Sequence, residues 1–105
     1  MGRTLDIPRE LNASLSLRRK KLLRNSLQRG MLENELIVGS YTIAHIAGMS
    51  EQQVDELEQV LAEQDPELFK FLTRKLEVPA ELAANSVMAA LLEHAQRNPL
   101  GYQKT

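Results

Sequence analysis

Arg29, Gly30 and Glu33 are the positions whose types and spacing could build a recognition site in this chain. Arg29 offers a planar fork of five donors that stays charged at any working pH. Gly30 has no side chain to hold a neighbour away, and it costs roughly 1 kcal/mol relative to alanine inside a helix, so it belongs at a break. Glu33 follows within one helical turn and sets an acceptor beside the donor fork. A donor, a bare backbone and an acceptor together form a compact recognition tip. A purely local reading exists too, with Gly30 as a helix C-cap, Arg29 as a last-turn cation and Glu33 as a first-turn anion.

Covalent chemistry has no comparable constellation. The chain contains no phosphate-binding loop, nucleophile elbow or dinucleotide fingerprint. Cysteine is absent, which excludes disulfides, thiol catalysis and thiolate zinc sites. His45 and His94 are far apart in sequence on different expected helices, and neither has a ligand-type residue four positions on. Both read as surface or helix-end histidines. Asp65 reads as a helix cap rather than a catalytic acid. The carboxylates of Glu51, Asp55, Glu56, Glu58 and Glu63 lie along a helix face, without the alternating ligands and glycine turn of a calcium loop. These features favour a binding protein over an enzyme, with no metal site and no cofactor of its own.

The elements that must position the tip follow from composition and periodicity. A chain of 105 residues is one domain's worth. Aromatics make up only 4%, so the core must be aliphatic, and the abundance of Leu, Ala, Glu, Gln, Lys and Arg favours helix. Ser14 or Ser16 can cap a first helix reaching about Gln28, with Leu15, Leu22, Leu23 and Leu27 on one stripe. Arg18, Arg19, Lys20, Lys21 and Arg24 fill the remainder as a solvated or partner-binding basic face. A second helix is expected from Met31 to about Ala47, with Gly39 marking close packing against a neighbour. Ser50 and Gln53 form a capping box for a third, whose Val54, Leu57, Val60 and Leu61 face inward. Asp65-Pro66-Glu67 starts a fourth, with Leu68, Phe69, Phe71, Leu72 and Leu76 apolar. A fifth runs from Glu81 to about Arg97 and stops at Asn98-Pro99-Leu100-Gly101. The expectation is all-α: a compact five-helix bundle spanning 14–98, after an N-terminal arm or leader remnant at 1–13 and before a polar tail at 99–105.

Charge is lopsided along the chain. Residues 1–29 carry eight Lys/Arg against two acids, a net of +6, and residues 30–105 carry five against twelve, a net of −7. A basic end of this kind suits nucleic acid, an anionic surface, an acidic protein face or an Arg-rich targeting region. No apolar run approaches the roughly 18 residues of a membrane span.

The run Gln28-Arg29-Gly30-Met31-Leu32-Glu33-Asn34 resembles the Arg-Gly-x-x-Glu signature of the succinate dehydrogenase assembly factor 2 family, the small helical flavinylation factors. The resemblance covers roughly residues 17–97. It includes Met49-Ser50 as a helix start and Asp65-Pro66-Glu67-Leu68-Phe69 as an acidic, proline-containing one. Many members carry tryptophan two residues after that phenylalanine; Phe71 stands here instead, which retains an aromatic but supplies no indole N–H. The resemblance implies a chaperone-like assembly factor that binds the flavoprotein subunit of succinate dehydrogenase and promotes covalent attachment of FAD, the FAD belonging to the client. Arg29, Gly30 and Glu33 would be its partner-binding residues. The bond from a client histidine to the flavin 8α carbon would form within the client, with the factor holding the client in the productive geometry. The resemblance further implies a free monomer in the mitochondrial matrix, with bacterial cytoplasm as the alternative. Two rival classes are a helical adaptor with a Leu-lined groove and an antitoxin-like regulator using the basic helix on nucleic acid.

Overall fold

The leucine stripe of the first expected helix decides the architecture, because it needs apolar faces on more than one side. A computed structural model describes residues 5–97. Among them are seven α-helices: α1 (Arg9–Ser14), α2 (Leu17–Leu27), α3 (Leu32–His45), α4 (Glu51–Leu61), α5 (Asp65–Leu72), α6 (Ala80–Ala83) and α7 (Ser86–Arg97). A 3-10 turn, Ile46–Gly48, follows α3, and no strand occurs among the described residues. α2 packs on α3 and α4, and α7 closes the bundle against α3, α4 and α5. The radius of gyration, 13.0 Å, is that of a compact domain of this size.

The expected stripes face the core. Leu15, Leu22, Leu23 and Leu27 are buried, as are Val54, Leu57 and Val60 of α4 and Leu68, Phe71 and Leu72 of α5. Each fully buried leucine contributes about 1.5–3 kcal/mol relative to exposure. Phe71 packs as a core aromatic at 4% exposure, which is the packing role expected of that position. Between α2 and α3 the buried Ser26 hydroxyl donates to the Leu22 carbonyl at 2.9 Å and lies 2.9 Å from the Thr42 hydroxyl, so neither polar group is stranded.

Caps set the boundaries. Ser16, rather than Ser14, accepts the Arg19 amide and starts α2. The Ser50–Gln53 capping box is formed in both directions, at 2.9 and 3.1 Å. Gly39 is buried in α3, and a Cβ there would lie 2.6 Å from Leu27 Cδ2, so its absence lets α2 and α3 close.

Seven helices replace the expected five for two physical reasons. Arg9–Ser14, within the expected arm, forms a helix behind Pro8, and Leu5, Ile7 and Leu11 pack against the core. The expected Glu81–Arg97 helix breaks at Ala84-Asn85 because Asn85 is engaged elsewhere. Its Oδ1 accepts the Met88 amide at 2.9 Å and caps α7, while its Nδ2 donates to the Glu56 carbonyl at 2.9 Å and to Gln59 at 2.8 Å. The expected second helix is shorter as well, ending at His45 before the 3-10 turn. Leu76, expected on an apolar face, lies beyond α5 and is 46% exposed. The expected stop at Asn98–Gly101 and the tail from 102 fall outside the described residues.

Arg74, just past α5, is the described non-glycine residue with positive φ, at 63°. The backbone folds back there, with the Lys75 and Leu76 amides donating to the Lys70 carbonyl at 2.8 and 3.2 Å. An L side chain in this region costs on the order of 1 kcal/mol. Arg74→Gly is therefore expected to stabilise by roughly 0.5–1 kcal/mol despite losing the exposed Arg74–Gln96 hydrogen bond. Equal or lower melting temperature would contradict this.

Candidate functional site

The tip sits where α2 gives way to α3, and two sequence-distant helix ends meet it. Arg29 lies just beyond α2 and turns inward. Its Nε donates to Asp65 Oδ1 at 2.8 Å, Nη1 to the Leu61 carbonyl at 2.9 Å and Nη2 to the Glu63 carbonyl at 2.8 Å. Leu61 is the last residue of α4, so the guanidinium satisfies carbonyls that the helix end leaves without partners and lies at the negative end of its dipole. The Arg29 side chain is 9% exposed and that of Asp65 is 17% exposed.

Asp65 completes the junction. Its Oδ2 accepts the Gly30 amide at 2.6 Å, and Asn34 Nδ2 donates to Asp65 Oδ1 and to its carbonyl, both at 3.0 Å. The Asn34 side chain is fully buried, and its Oδ1 is the one described buried side-chain polar atom without a hydrogen-bond partner. The junction thus joins four helix ends: the C-termini of α2 and α4 and the N-termini of α3 and α5. This corrects the reading of Asp65 as a cap. Asp65 is the first residue of α5, Gln64 precedes it in the cap position, and no side-chain cap bond forms there. Burial pushes the Asp65 carboxyl up, but hydrogen bonds from Asn34, Arg29 and the Gly30 amide, with the Arg29 charge, hold it below the usual range.

Gly30 is exposed and does not adopt a positive φ. Its glycine identity matters through close approach: a Cβ would lie 3.0 Å from Asp65 Oδ2. The approaching group is therefore a carboxylate of its own chain. Glu33 is half-buried, and among the described residues its carboxylate has no hydrogen-bond or ion-pair partner. Leu32 beside it is 55% exposed. The structure places the three residues in one region but with different engagements: Arg29 inward, Gly30 at the surface, Glu33 unpaired. Asp65 and Asn34 were missed as members of this site. The signal available in the sequence was an unmatched acid at a helix start, which capping explained too readily.

Two other sequence readings change. Arg18 donates to Asp55 and Glu58, each at 2.7 Å, and Arg19 to the Ile46 carbonyl at 2.8 Å and Glu51 at 3.2 Å. Two of the five basic residues are thereby tied to α4 and the end of α3. His45 and His94, far apart in sequence, both meet Tyr41, with ring centroids at 4.5 and 5.7 Å. His94 Nε2 is 2.8 Å from the Ser40 hydroxyl, and burial, then the neighbouring His45 and Arg97, push its pKa below the ordinary value.

These shifts set a pH dependence. His94 takes a proton more readily in the unfolded chain, so its contribution is complete above about pH 6.5 and is lost as pH falls toward its lower native value. Asp65 contributes above about pH 3.9 and is lost as pH falls through its depressed native value. Urea midpoints from pH 8 to pH 3 are expected to fall in two stages, with His94→Gln removing the upper and Asp65→Asn the lower. A flat profile above pH 5 would contradict the His94 assignment.

A family model described as "Flavinator of succinate dehydrogenase" matches residues 20–95, which hold the whole junction. The chain belongs to this family. Curated relatives agree. A Dictyostelium discoideum protein named succinate dehydrogenase assembly factor 2, mitochondrial, is 38% identical over 86 residues, covering 82% of this chain and 60% of the relative. The Arabidopsis thaliana protein of that name is 34% identical over 94 residues, covering 90% and 49%, and the Aedes aegypti one 32% over 87, covering 81% and 53%. The chain spans about half to three-fifths of the length of these relatives. No solved structure matches it. Arg29–Glu33 lies within the matched range, and the Arg29–Asp65 junction fixes the shape of that segment.

Proposed function

We propose that this chain is an assembly factor that binds the flavoprotein subunit of succinate dehydrogenase and promotes covalent attachment of FAD to it, in the mitochondrial matrix. The observation that carries the reading is the family match across residues 20–95, with Gly30 and an unpaired Glu33 carboxylate at one surface. Arg29, Gly30 and Glu33 form the contact core with a division of labour. Arg29 holds the tip rigid from within, Gly30 lets the Asp65 carboxylate close on the tip while leaving its exposed backbone open to the client, and Glu33 receives a client donor. A tip organised before binding loses less freedom on association. The FAD is the client's, and this chain contributes positioning rather than bond-making. It acts as a monomer with no cofactor of its own. No described helix is long and apolar enough to cross a membrane. The engagement of Arg18 and Arg19 by acids of α4 argues against a nucleic-acid role for the basic helix.

The test is covalent flavin in the succinate dehydrogenase flavoprotein of cells lacking this chain, read by fluorescence in a denaturing gel. Loss on deletion, restored by the wild-type chain, is the expected result. Gly30→Arg is expected to keep far-UV circular dichroism, because Gly30 lies between α2 and α3, yet to fail in rescue because it fills the approach surface and crowds Asp65. Glu33→Gln is expected to weaken client binding about tenfold, the effect of losing a charged hydrogen-bond acceptor. Undiminished flavin in the deletion strain would move the adaptor reading forward.

A further inference from the structure

The tip is not the only surface of this chain built to receive a partner. Between α2 and α4 runs an open groove of about 520 Å³. Leu17, Leu22, Leu61 and Ala62 supply its apolar lining. Leu17 is 84% exposed, the most exposed large hydrophobic side chain among the described residues. Arg18 and Glu58, themselves paired at 2.7 Å, also line the groove. Lys21 and Asn25 complete the α2 side.

Charge along this side of α2 is only partly compensated. Arg18 and Arg19 are held by Glu51, Asp55 and Glu58. Lys20, Lys21 and Arg24 have no ion-pair partner among the described residues, and Lys21 and Arg24 are exposed. Lys21 lines the groove and Arg24 follows one helical turn later on the same side as Leu17. The groove also adjoins the tip. Leu61, which lines it, is the residue whose carbonyl accepts Arg29 Nη1 at 2.9 Å.

We infer that this groove is a second docking surface for the flavoprotein client, taking an acidic segment that places one leucine-sized side chain against Leu17, Leu22, Leu61 and Ala62 and sets carboxylates opposite Lys21 and Arg24. The inference rests on the client assignment proposed above, and it adds a contact that the Arg-Gly-x-x-Glu tip does not contain. Charge complementarity selects the occupant. A row of free cations beside an apolar floor favours a partner that is both acidic and apolar. A nucleic acid would have little use for the apolar floor, and a lipid surface would need a cationic face that extends past these residues, where α4 instead presents acids. The arrangement divides the work: the cations raise the rate of encounter and the apolar floor slows release.

The test uses the full chain and purified flavoprotein subunit, with binding measured at two salt concentrations. Lys21→Glu/Arg24→Glu is expected to weaken binding at least tenfold and to flatten its salt dependence, and Leu17→Asp to weaken it about fivefold. All three positions are exposed, so melting temperature and circular dichroism should stay unchanged. Wild-type binding that the charge-reversed and Leu17 variants keep within twofold would overturn the groove and leave the client assignment standing. No wild-type binding at all would overturn the client assignment, and the groove's role with it. Unchanged client binding together with variant-sensitive binding to phosphatidylglycerol vesicles or to duplex DNA would replace the protein occupant by a membrane or a nucleic acid.

Discussion

Arg29→Ala is expected to lower the stability of the fold by about 3 kcal/mol, the low end for removing one partner from a buried ion pair, because this hydrogen-bonded pair is part-buried. The guanidinium closes three bonds at once, to Asp65, Leu61 and Glu63. Its removal strands the carbonyls of Leu61, the last residue of α4, and Glu63, just past it, and leaves the Asp65 carboxylate with only Asn34 and the Gly30 amide. For a domain of about 100 residues each kcal/mol moves the melting temperature by about 4–8 °C, so a drop on the order of 15 °C is expected. Arg29→Lys should fall between, because a lysine can meet Asp65 but cannot fork to both carbonyls. Asp65→Ala should also destabilise, and Arg29→Ala/Asp65→Ala should lose less than the sum of the singles, because the two groups share one interaction. If Arg29→Ala melted within 3 °C of wild type while losing client binding, Arg29 would be a contact residue alone and the junction would have no structural weight.

The second large effect lies at the α2–α3 contact. Gly39→Leu is expected to destabilise by at least about 3 kcal/mol, since even a Cβ would sit 2.6 Å from Leu27 Cδ2 and Leu27 is 1% exposed. Gly39→Ala combines two opposing terms: a gain of about 1 kcal/mol in helix propensity and an overpacking cost of about 1–3 kcal/mol. A net loss of about 0–2 kcal/mol follows. Leu27→Ala alone should cost about 2–5 kcal/mol through the cavity it leaves. The combination Leu27→Ala/Gly39→Leu should recover part of that loss, because the new side chain occupies the vacated volume. Denaturant titration of the four proteins measures the coupling. Strictly additive losses would show that the two residues do not compete for the same space.

Most of the bundle was legible because local rules and tertiary packing agree. The stripes on α2, α4 and α5 repeat at helical spacing and are buried, and the Ser50–Gln53 box forms as its residues require. Two departures arose where a polar residue had a distant partner. Asn85 looks like an ordinary helical position until Glu56 and Gln59 are seen to hold it, and then a helix must end there. Asp65 looks like a cap for its own helix until Arg29 claims its carboxylate across 36 positions of sequence. The Arg9–Ser14 helix was read as arm because its stabilising contacts are supplied by the core and not by its own period. The tip was picked out from residue types together with the family resemblance. The direction in which Arg29 points was not, because an arginine at the end of a helix can face outward or cap a neighbour with equal local propriety.

The Arg29–Asp65 junction also orders events in time. Synthesis runs from the N-terminus, so Arg29 leaves the ribosome well before the carbonyls of Leu61 and Glu63 and the carboxylate of Asp65 exist. Until α4 is complete at residue 61, the α2–α3 hairpin carries an unmatched cation at its tip and a leucine face without its partner, and until residue 65 emerges that cation lacks its carboxylate. The end of the molecule that carries Arg29–Glu33 is therefore closed by a segment made late. A nascent chain stalled before α5 would present the Arg-Gly-x-x-Glu sequence without the shape that Asp65 gives it.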